Sequence, residues 1–154
     1  MVSGQLKSSE EEPVTEWQYQ LRLQLADGPA SAAREQKDAP KLQELYEVLQ
    51  AHNAELVCQY DAFAGYCEQA ERLGQDNLPL YRWTKETIEN PQKKAKYIKI
   101  FTLYVKGEEV YAKESAEALE RDLEPMVGGP VVERLSKYDS NPENNPQVPE
   151  RFRS

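Results

Sequence analysis

The chain has 154 residues, of which 27 are acidic and 19 basic, so its formal net charge is −8. This length suits a single domain, and no apolar run is long enough for a transmembrane helix. A chain of this charge is repelled by phosphate backbones and anionic membranes unless its lysines are gathered in one place. We therefore expect an acidic protein that does not act on membranes and for which nucleic acid is a disfavoured partner.

The first elements are an arm and a strand. Residues 1–15 are rich in Ser, Gly, Glu and Pro, and this composition predicts a disordered acidic arm. The following residues alternate between apolar and polar, which predicts a half-buried strand. The apolar positions of this strand are Trp17, Tyr19, Leu21, Leu23 and Leu25.

The next segment predicts one long helix over residues 39–73, with Asp38 as its N-cap and Gly74 just past its end. Apolar residues recur there every seven positions, as in a coiled coil. They are Leu42, Leu49, Leu56, Phe63 and Ala70. The second core position of the heptad holds Leu45, His52, Gln59, Tyr66 and Leu73. Such a helix is roughly 50 Å long, and a break near Gly65 is the alternative.

The second half of the chain predicts shorter elements. Residues 78–90 predict a helix. Residues 97–105 are dense in aromatic and β-branched side chains and predict a strand, with 109–111 returning as its hairpin partner. A helix through 92–106 is the competing prediction. A helix over 115–126 and a short strand or helical turn over 131–135 complete the pattern.

This order of elements is β-α-β-β-α-β, which predicts an α+β fold, a ferredoxin-like sandwich with an extended first helix. An all-α helical bundle is the alternative if 91–127 is helical. The α+β domain is predicted to occupy residues 16–137. Residues 138–154, rich in Pro and Asn, predict a disordered tail.

Residue types that carry catalysis are few, and we predict no catalytic residue. His52 is the only histidine, at a heptad position where polar residues commonly set register. Cys58 and Cys67 lie among acids that disfavour a thiolate, and two cysteines are too few for a disulfide framework. We therefore expect a reducing compartment, the cytoplasm. No spacing of metal ligands or glycines is typical of a metal or nucleotide site, so neither metal nor cofactor is expected.

One local cluster departs from the acidic average. Between Pro91 and Lys106 the chain has five lysines and no acid, interleaved with aromatic residues. Basic and exposed aromatic side chains on a strand suit single-stranded nucleic acid, which is one alternative function. A solvated sheet edge is the favoured interpretation. The basic patch consists of Lys93, Lys94, Lys96 and Lys99.

The leading functional prediction depends on the long helix, whose apolar stripe exceeds what strands of ordinary length cover. We therefore predict a non-enzymatic adaptor, inhibitor or chaperone-like regulator that holds another protein, possibly a basic one, and forms a homodimer. A helical hairpin that covers the stripe within the chain is the competing interpretation. The residues expected at the partner interface are His52, Gln59, Phe63 and Tyr66.

The other alternative function is a small-molecule binder or enzyme on a ferredoxin-like sheet. Its pocket would lie between the sheet and the long helix, beside His52 and Tyr66. The pocket candidates are Tyr19, Tyr81, Trp83 and Tyr104.

Overall fold

The computed structural model describes residues 17–35, 39–145 and 147–152. Its strands and α-helices, in chain order, are β1 (Tyr19–Leu25), α1 (Asp27–Arg34), α2 (Gln43–Ala51), β2 (Ala54–Cys58), α3 (Gln59–Arg72), α4 (Pro79–Glu89), α5 (Pro91–Tyr97), β3 (Ile100–Val105), α6 (Lys113–Leu123) and β4 (Val132–Asp139). Short 3-10 helices occupy Pro40–Leu42, Glu124–Met126, Pro142–Asn144 and Glu150–Phe152. The fold is mixed α+β, so the all-α alternative is wrong.

The four strands form one antiparallel sheet in the order β2-β3-β1-β4. Leu103 of β3 lies opposite Leu21 of β1 on one side and Leu56 of β2 on the other. Because β3 runs antiparallel to both neighbours, β1 and β2 point the same way, and α1 and α2 lie in the connection between them. β3 and β4, which lie on either side of β1, also point the same way, and α6 lies in the connection between them.

One face of the sheet carries the main core. The alternation in β1 confirms the predicted strand, because Leu21, Leu23 and Leu25 are completely buried. Helices α2 and α6 pack against each other above this face, and the inner residues of α6 have the predicted helical spacing. The buried residues of these helices are Leu45, Leu49, Ala116, Leu119 and Leu123.

The long helix predicted over 39–73 is wrong. Helix α2 ends at Ala51, Asn53 adopts a left-handed backbone with φ of 55°, and β2 intervenes before α3 begins at Gln59. The heptad pattern arose because α2 and α3 are each amphipathic, while Leu56 is an inward-facing strand residue that falls on the same spacing. Residues 54–58 form a strand because they are hydrogen-bonded to β3. The apolar stripe predicted along one helix of roughly 50 Å is therefore absent from the structure.

Residues 91–111 combine features of both competing predictions. Residues 91–97 form helix α5 and 100–105 form strand β3. The predicted return strand at 109–111 is wrong: Glu108 and Tyr111 form only isolated bridges, to Val105 and Tyr19. The second strand of the sheet is therefore β2, and helices α3, α4 and α5 separate it from β3.

The end of the chain continues past the predicted domain boundary. Strand β4, predicted as the last short strand, extends to Asp139. Beyond it, Arg151 donates from both Nη groups to Glu86 of α4, at 2.8 and 2.9 Å. The arm predicted over residues 1–15 lies outside the described residues, and the domain boundaries stay predictions. No helix in the described part of the chain combines the length and apolar character needed to cross a bilayer.

Candidate functional site

The second face of the sheet is polar. Side chains that alternate with the buried leucines of β1 lie beside those of β4, since residues opposite each other on antiparallel strands share a face. The pairs are Gln20 with Tyr138, Arg22 with Ser136, and Gln24 with Arg134. Helix α3 borders this face through Gln59, whose buried amide donates to the Thr102 hydroxyl at 3.3 Å. The polar face is therefore the floor of a site whose walls are helices.

A cavity of about 160 Å³ lies over this floor, and we call it the cationic cavity. Three cations and no acid line it: Arg22, Lys96 and Arg134. Its other lining residues are Leu23, Gln24, Gln59, Tyr97, Ile100, Ser136 and Tyr138. Among the described residues, no carboxylate lies within ion-pair distance of these three cations. In a chain of net charge −8, this cavity is lined by an excess of basic residues.

Neighbouring cations behave differently. Lys99 lies 3.3 Å from both Asp27 and Glu133, and Lys137 lies 3.2 Å from Glu120. Acids therefore neutralise nearby basic residues of the same sheet region but not those that face the cavity. The space beside these three cations, which form no ion pair within the described part of the chain, suits an anion.

Arg22 is held in place by two neighbours. Its Nε donates to Gln20 Oε1 at 2.7 Å, and its guanidinium carbon lies 4.1 Å from the centroid of the Tyr138 ring. Its two Nη groups have no hydrogen-bond partner among the described residues. A fixed guanidinium with free donors is suited to bidentate recognition of a carboxylate or phosphate.

A second cavity, of about 380 Å³, adjoins the first, because Arg22 and Tyr97 line both. We call it the aromatic cavity. Phe63 and Tyr97 meet there edge to face, with ring centroids 5.3 Å apart. Helix α4 contributes one face, with the i, i+3, i+4, i+7 spacing of Leu80, Trp83, Thr84 and Thr87.

The segment after β4 completes this cavity through Asn145. The Asn145 amide donates to the carbonyls of Asp139 and Asn141, at 2.8 and 2.7 Å. These bonds fold the chain back immediately after the last strand. The aromatic cavity therefore has one wall from the region predicted as tail.

Four residues that the sequence singled out meet at these two cavities. Gln59 and Phe63 belonged to the predicted partner interface, Trp83 to the predicted pocket and Lys96 to the basic patch. The structure brings them together because α3, α4 and α5 fold over the polar face of the sheet.

His52 lies elsewhere, at the C-terminal end of α2. Its Nε2 lies 2.7 Å from Asp122 Oδ2 of α6, and it lines a separate cavity of about 360 Å³. His52 was predicted at a core position of the heptad in one long helix. This prediction is wrong, because α2 ends at Ala51.

The remaining tyrosine candidates are also dispersed. Tyr81 donates to Glu71 at 2.6 Å, and this hydrogen bond raises the pKa of Tyr81 to about 12. Tyr104 donates to Glu109 at 3.2 Å, and burial followed by the Glu109 charge raises its pKa. Tyr19 pairs its backbone with Tyr111. Tyr66 lies half-buried on α3 and lines neither cavity.

The basic patch is not a strand surface. Lys93, Lys94 and Lys96 lie on α5, and of the four predicted lysines Lys96 alone lines the cationic cavity. Lys94 lies 5.2 Å from the centroid of the Tyr60 ring. The arrangement that suggested stacking of nucleic acid on a strand is therefore absent from residues 91–99.

Sequence reasoning missed Arg22, Arg134 and Tyr138. The period of two in β1 placed Arg22 on the polar face, and that face was interpreted as solvent-exposed. What joins these residues is the register between β1 and β4, the first and last strands. A polar face on both strands was the available indication that they share a site.

Metal binding has little support: in the described ranges, no group of three or more His, Cys, Asp or Glu side chains is placed to hold a metal ion. Cys58 and Cys67 are buried and unpaired, and burial raises the pKa of both thiols, which disfavours a nucleophilic thiolate. Comparison of the chain with protein-family models, curated proteins and solved structures gives no match.

Proposed function

We propose that this protein binds small organic anions in the cationic cavity. The observation that carries the proposal is that Arg22, Lys96 and Arg134 line one cavity without an acid among its lining residues, in a chain of net charge −8. Clefts lined by one sign of charge concentrate ligands of the opposite sign. A bound anion supplies the counter-charge that described residues of the chain do not.

The chemistry of the cavity favours a compact acidic group. Water occupies about 30 Å³ per molecule in the liquid, so a cavity of about 160 Å³ holds a group the size of a carboxylate or phosphate. Ser136, Gln24 and Gln59 add neutral hydrogen-bonding groups around it. Because Arg22 is already positioned by Gln20 and Tyr138, its own side chain loses little additional entropy on binding.

The proposed role is binding without covalent chemistry. Ser136 lines the cationic cavity, but no histidine, cysteine or acid is among the lining residues to activate its hydroxyl as a nucleophile. A small-molecule binder on a ferredoxin-like sheet was one of the alternatives drawn from the sequence.

We assign the fold, as part of this proposal, to the ferredoxin-like class. Two β-α-β units, each with a third strand between its parallel strands, are the split arrangement of that class, and the strand order β2-β3-β1-β4 supports it. Helices α3, α4 and α5 are then an insertion between the second and third strands. This insertion supplies the walls of the site.

The protein-binding adaptor and the homodimer were predicted from the long helix. Because β2 interrupts that helix, these predictions lose the feature that favoured them. A cytoplasmic location likewise stays a prediction from the sequence.

Calorimetric titration with four probes tests the proposal: acetate, benzoate, methyl phosphate and phenyl phosphate. We expect at least one to bind, with an affinity that falls as salt rises. Arg134→Gln should weaken that binding by about tenfold, since hydrogen bonds between charged groups contribute about 1.5–3 kcal/mol.

Arg121→Gln is the matched control. Arg121 is an exposed residue of α6 outside both cavities, so this variant changes the net charge equally and should bind within about twofold of the parent. The proposal fails if none of the four probes binds, or if both variants lose the same affinity.

A further inference from the structure

We infer that the ligand is an aromatic anion, with its carboxylate or phosphate in the cationic cavity and its ring in the aromatic cavity. This inference rests on the proposed function and names the ligand class of the same site. It starts from the two lining residues, Arg22 and Tyr97, that the cavities share. A single ligand that lies between Arg22 and Tyr97 occupies both cavities.

The aromatic cavity is suited to a flat apolar group. Trp83, Phe63 and Tyr97 line it, and aromatic rings prefer the edge-to-face and offset geometries that such walls offer. The Phe63–Tyr97 pair already adopts an interplanar angle of 77°. A ligand ring placed here extends an existing aromatic cluster.

The two threonines in this cavity strengthen its apolar character. Thr84 Oγ1 donates to the Leu80 carbonyl at 2.8 Å, and Thr87 Oγ1 donates to the Trp83 carbonyl at 3.0 Å. Both hydroxyl protons are therefore used within α4. Polar ligand groups such as sugar hydroxyls find few free donors on this wall, whereas a hydrocarbon ring requires none.

The sizes of the cavities agree with this division. A cavity of about 150 Å³ accommodates benzene, so about 380 Å³ admits one ring or two fused rings. The cationic cavity is smaller, at about 160 Å³, adjoins the aromatic cavity and supplies the cations for the acidic group. The ring and the acid must therefore be separated by few bonds.

Matched pairs of ligands test the ring directly: benzoate against acetate, and phenyl phosphate against methyl phosphate. The two tryptophans are Trp17 and Trp83, so a Trp17→Phe background leaves Trp83 as the only tryptophan reporter. We expect the aromatic member of at least one pair to bind about tenfold more tightly and to change Trp83 fluorescence, while its partner does not. The preferred pair identifies the acidic group.

Two variants examine the aromatic cavity. Trp83→Leu should remove most of the tenfold preference while leaving the affinity for acetate or methyl phosphate unchanged. Leu80 is 48% exposed, so Leu80→Ser keeps the fold and should weaken the aromatic ligand alone by severalfold.

The outcomes separate this inference from the proposed function. Equal affinities within both pairs, still dependent on Arg134, overturn the aromatic ligand and leave anion binding intact. A ring preference that survives both Trp83→Leu and Leu80→Ser also overturns it, because the ring then lies elsewhere. If no anion binds, both proposals fail together.

Discussion

Arg22 of β1 lies over the ring of Tyr138 of β4, with 4.1 Å between the guanidinium carbon and the ring centroid. The two residues are diagonal neighbours, since Arg22 is paired with Ser136 and Tyr138 with Gln20. The strand pairing itself therefore positions the cation that lines both cavities. A ring over one face of a guanidinium leaves its edge, which carries the N–H donors, available for a ligand.

Replacing Tyr138 tests this positioning. Tyr138→Leu should weaken anion binding by about two- to fivefold, because a cation–π contact at an exposed site contributes about 0.5–1 kcal/mol. Tyr138→Phe keeps the ring and should bind like the parent in the same calorimetric titration. Equal losses in the two variants would mean that the phenol, rather than the ring, supports the site.

A second prediction concerns Tyr111, whose buried hydroxyl bridges β1 and β3. It accepts from the Leu21 N–H and donates to the Leu103 carbonyl, both at 2.8 Å. Tyr111→Phe should lower the free energy of unfolding by about 1–3 kcal/mol, because it leaves two buried backbone groups unpaired. Urea denaturation measures this loss.

Tyr66→Phe is the control for that experiment. Tyr66 is half-buried, and its hydroxyl has no hydrogen-bond partner among the residues that the structure describes. We expect a change within about 0.5 kcal/mol. A similar loss in both variants would show that the Tyr111 bridge has no special role.

The hydrogen bond from Tyr81 to Glu71 predicts a pH effect. It raises the pKa of Tyr81 to about 12, so the folded protein holds this proton more tightly than the unfolded chain. The associated stabilisation is complete below the ordinary pKa of about 10 and is lost as pH rises toward 12.

Glu71→Gln removes the charge that Tyr81 faces and should return its pKa toward about 10. The difference in tyrosinate absorbance between each protein and its own Tyr81→Phe derivative isolates this residue among the nine tyrosines. An unchanged titration in Glu71→Gln contradicts the prediction.

The attachment of residues 150–152 to α4 gives a further prediction. Arg151 forms a bidentate ion pair with Glu86, and the Arg82 guanidinium donates to the Phe152 carbonyl. Glu86→Gln should increase deuterium uptake over residues 147–152, by no more than about fivefold because exposed ion pairs contribute little. Glu89→Gln, an exposed acid of the same helix without an ion pair among the described residues, should leave uptake unchanged.

The elements that the sequence predicted best are those with a local pattern. The alternation of β1 and the helical spacing of Ala116, Leu119 and Leu123 in α6 each suit one kind of structure only. Strand β2 was missed because Leu56 satisfies both a heptad and a strand. Only its pairing with β3, whose position follows three intervening helices, separates the two possibilities.

The candidate site was predictable only in pieces. Phe63, Trp83 and Lys96 were named for three different roles, because their sequence spacing gives no indication that α3, α4 and α5 cover one sheet face. Arg22 and Arg134 were not named at all. Their proximity depends on the register between the first and last strands, which no local pattern encodes.

That same register has a consequence for how the molecule is made. Tyr19 is paired with Asp139, so a growing polypeptide cannot close its sheet until nearly all of the domain has left the ribosome. Contacts this distant in sequence form late and slowly. The polar floor of the cationic cavity is therefore among the last parts of the protein to assemble, and chains that end before β4 are expected to lack it even where their helices are intact.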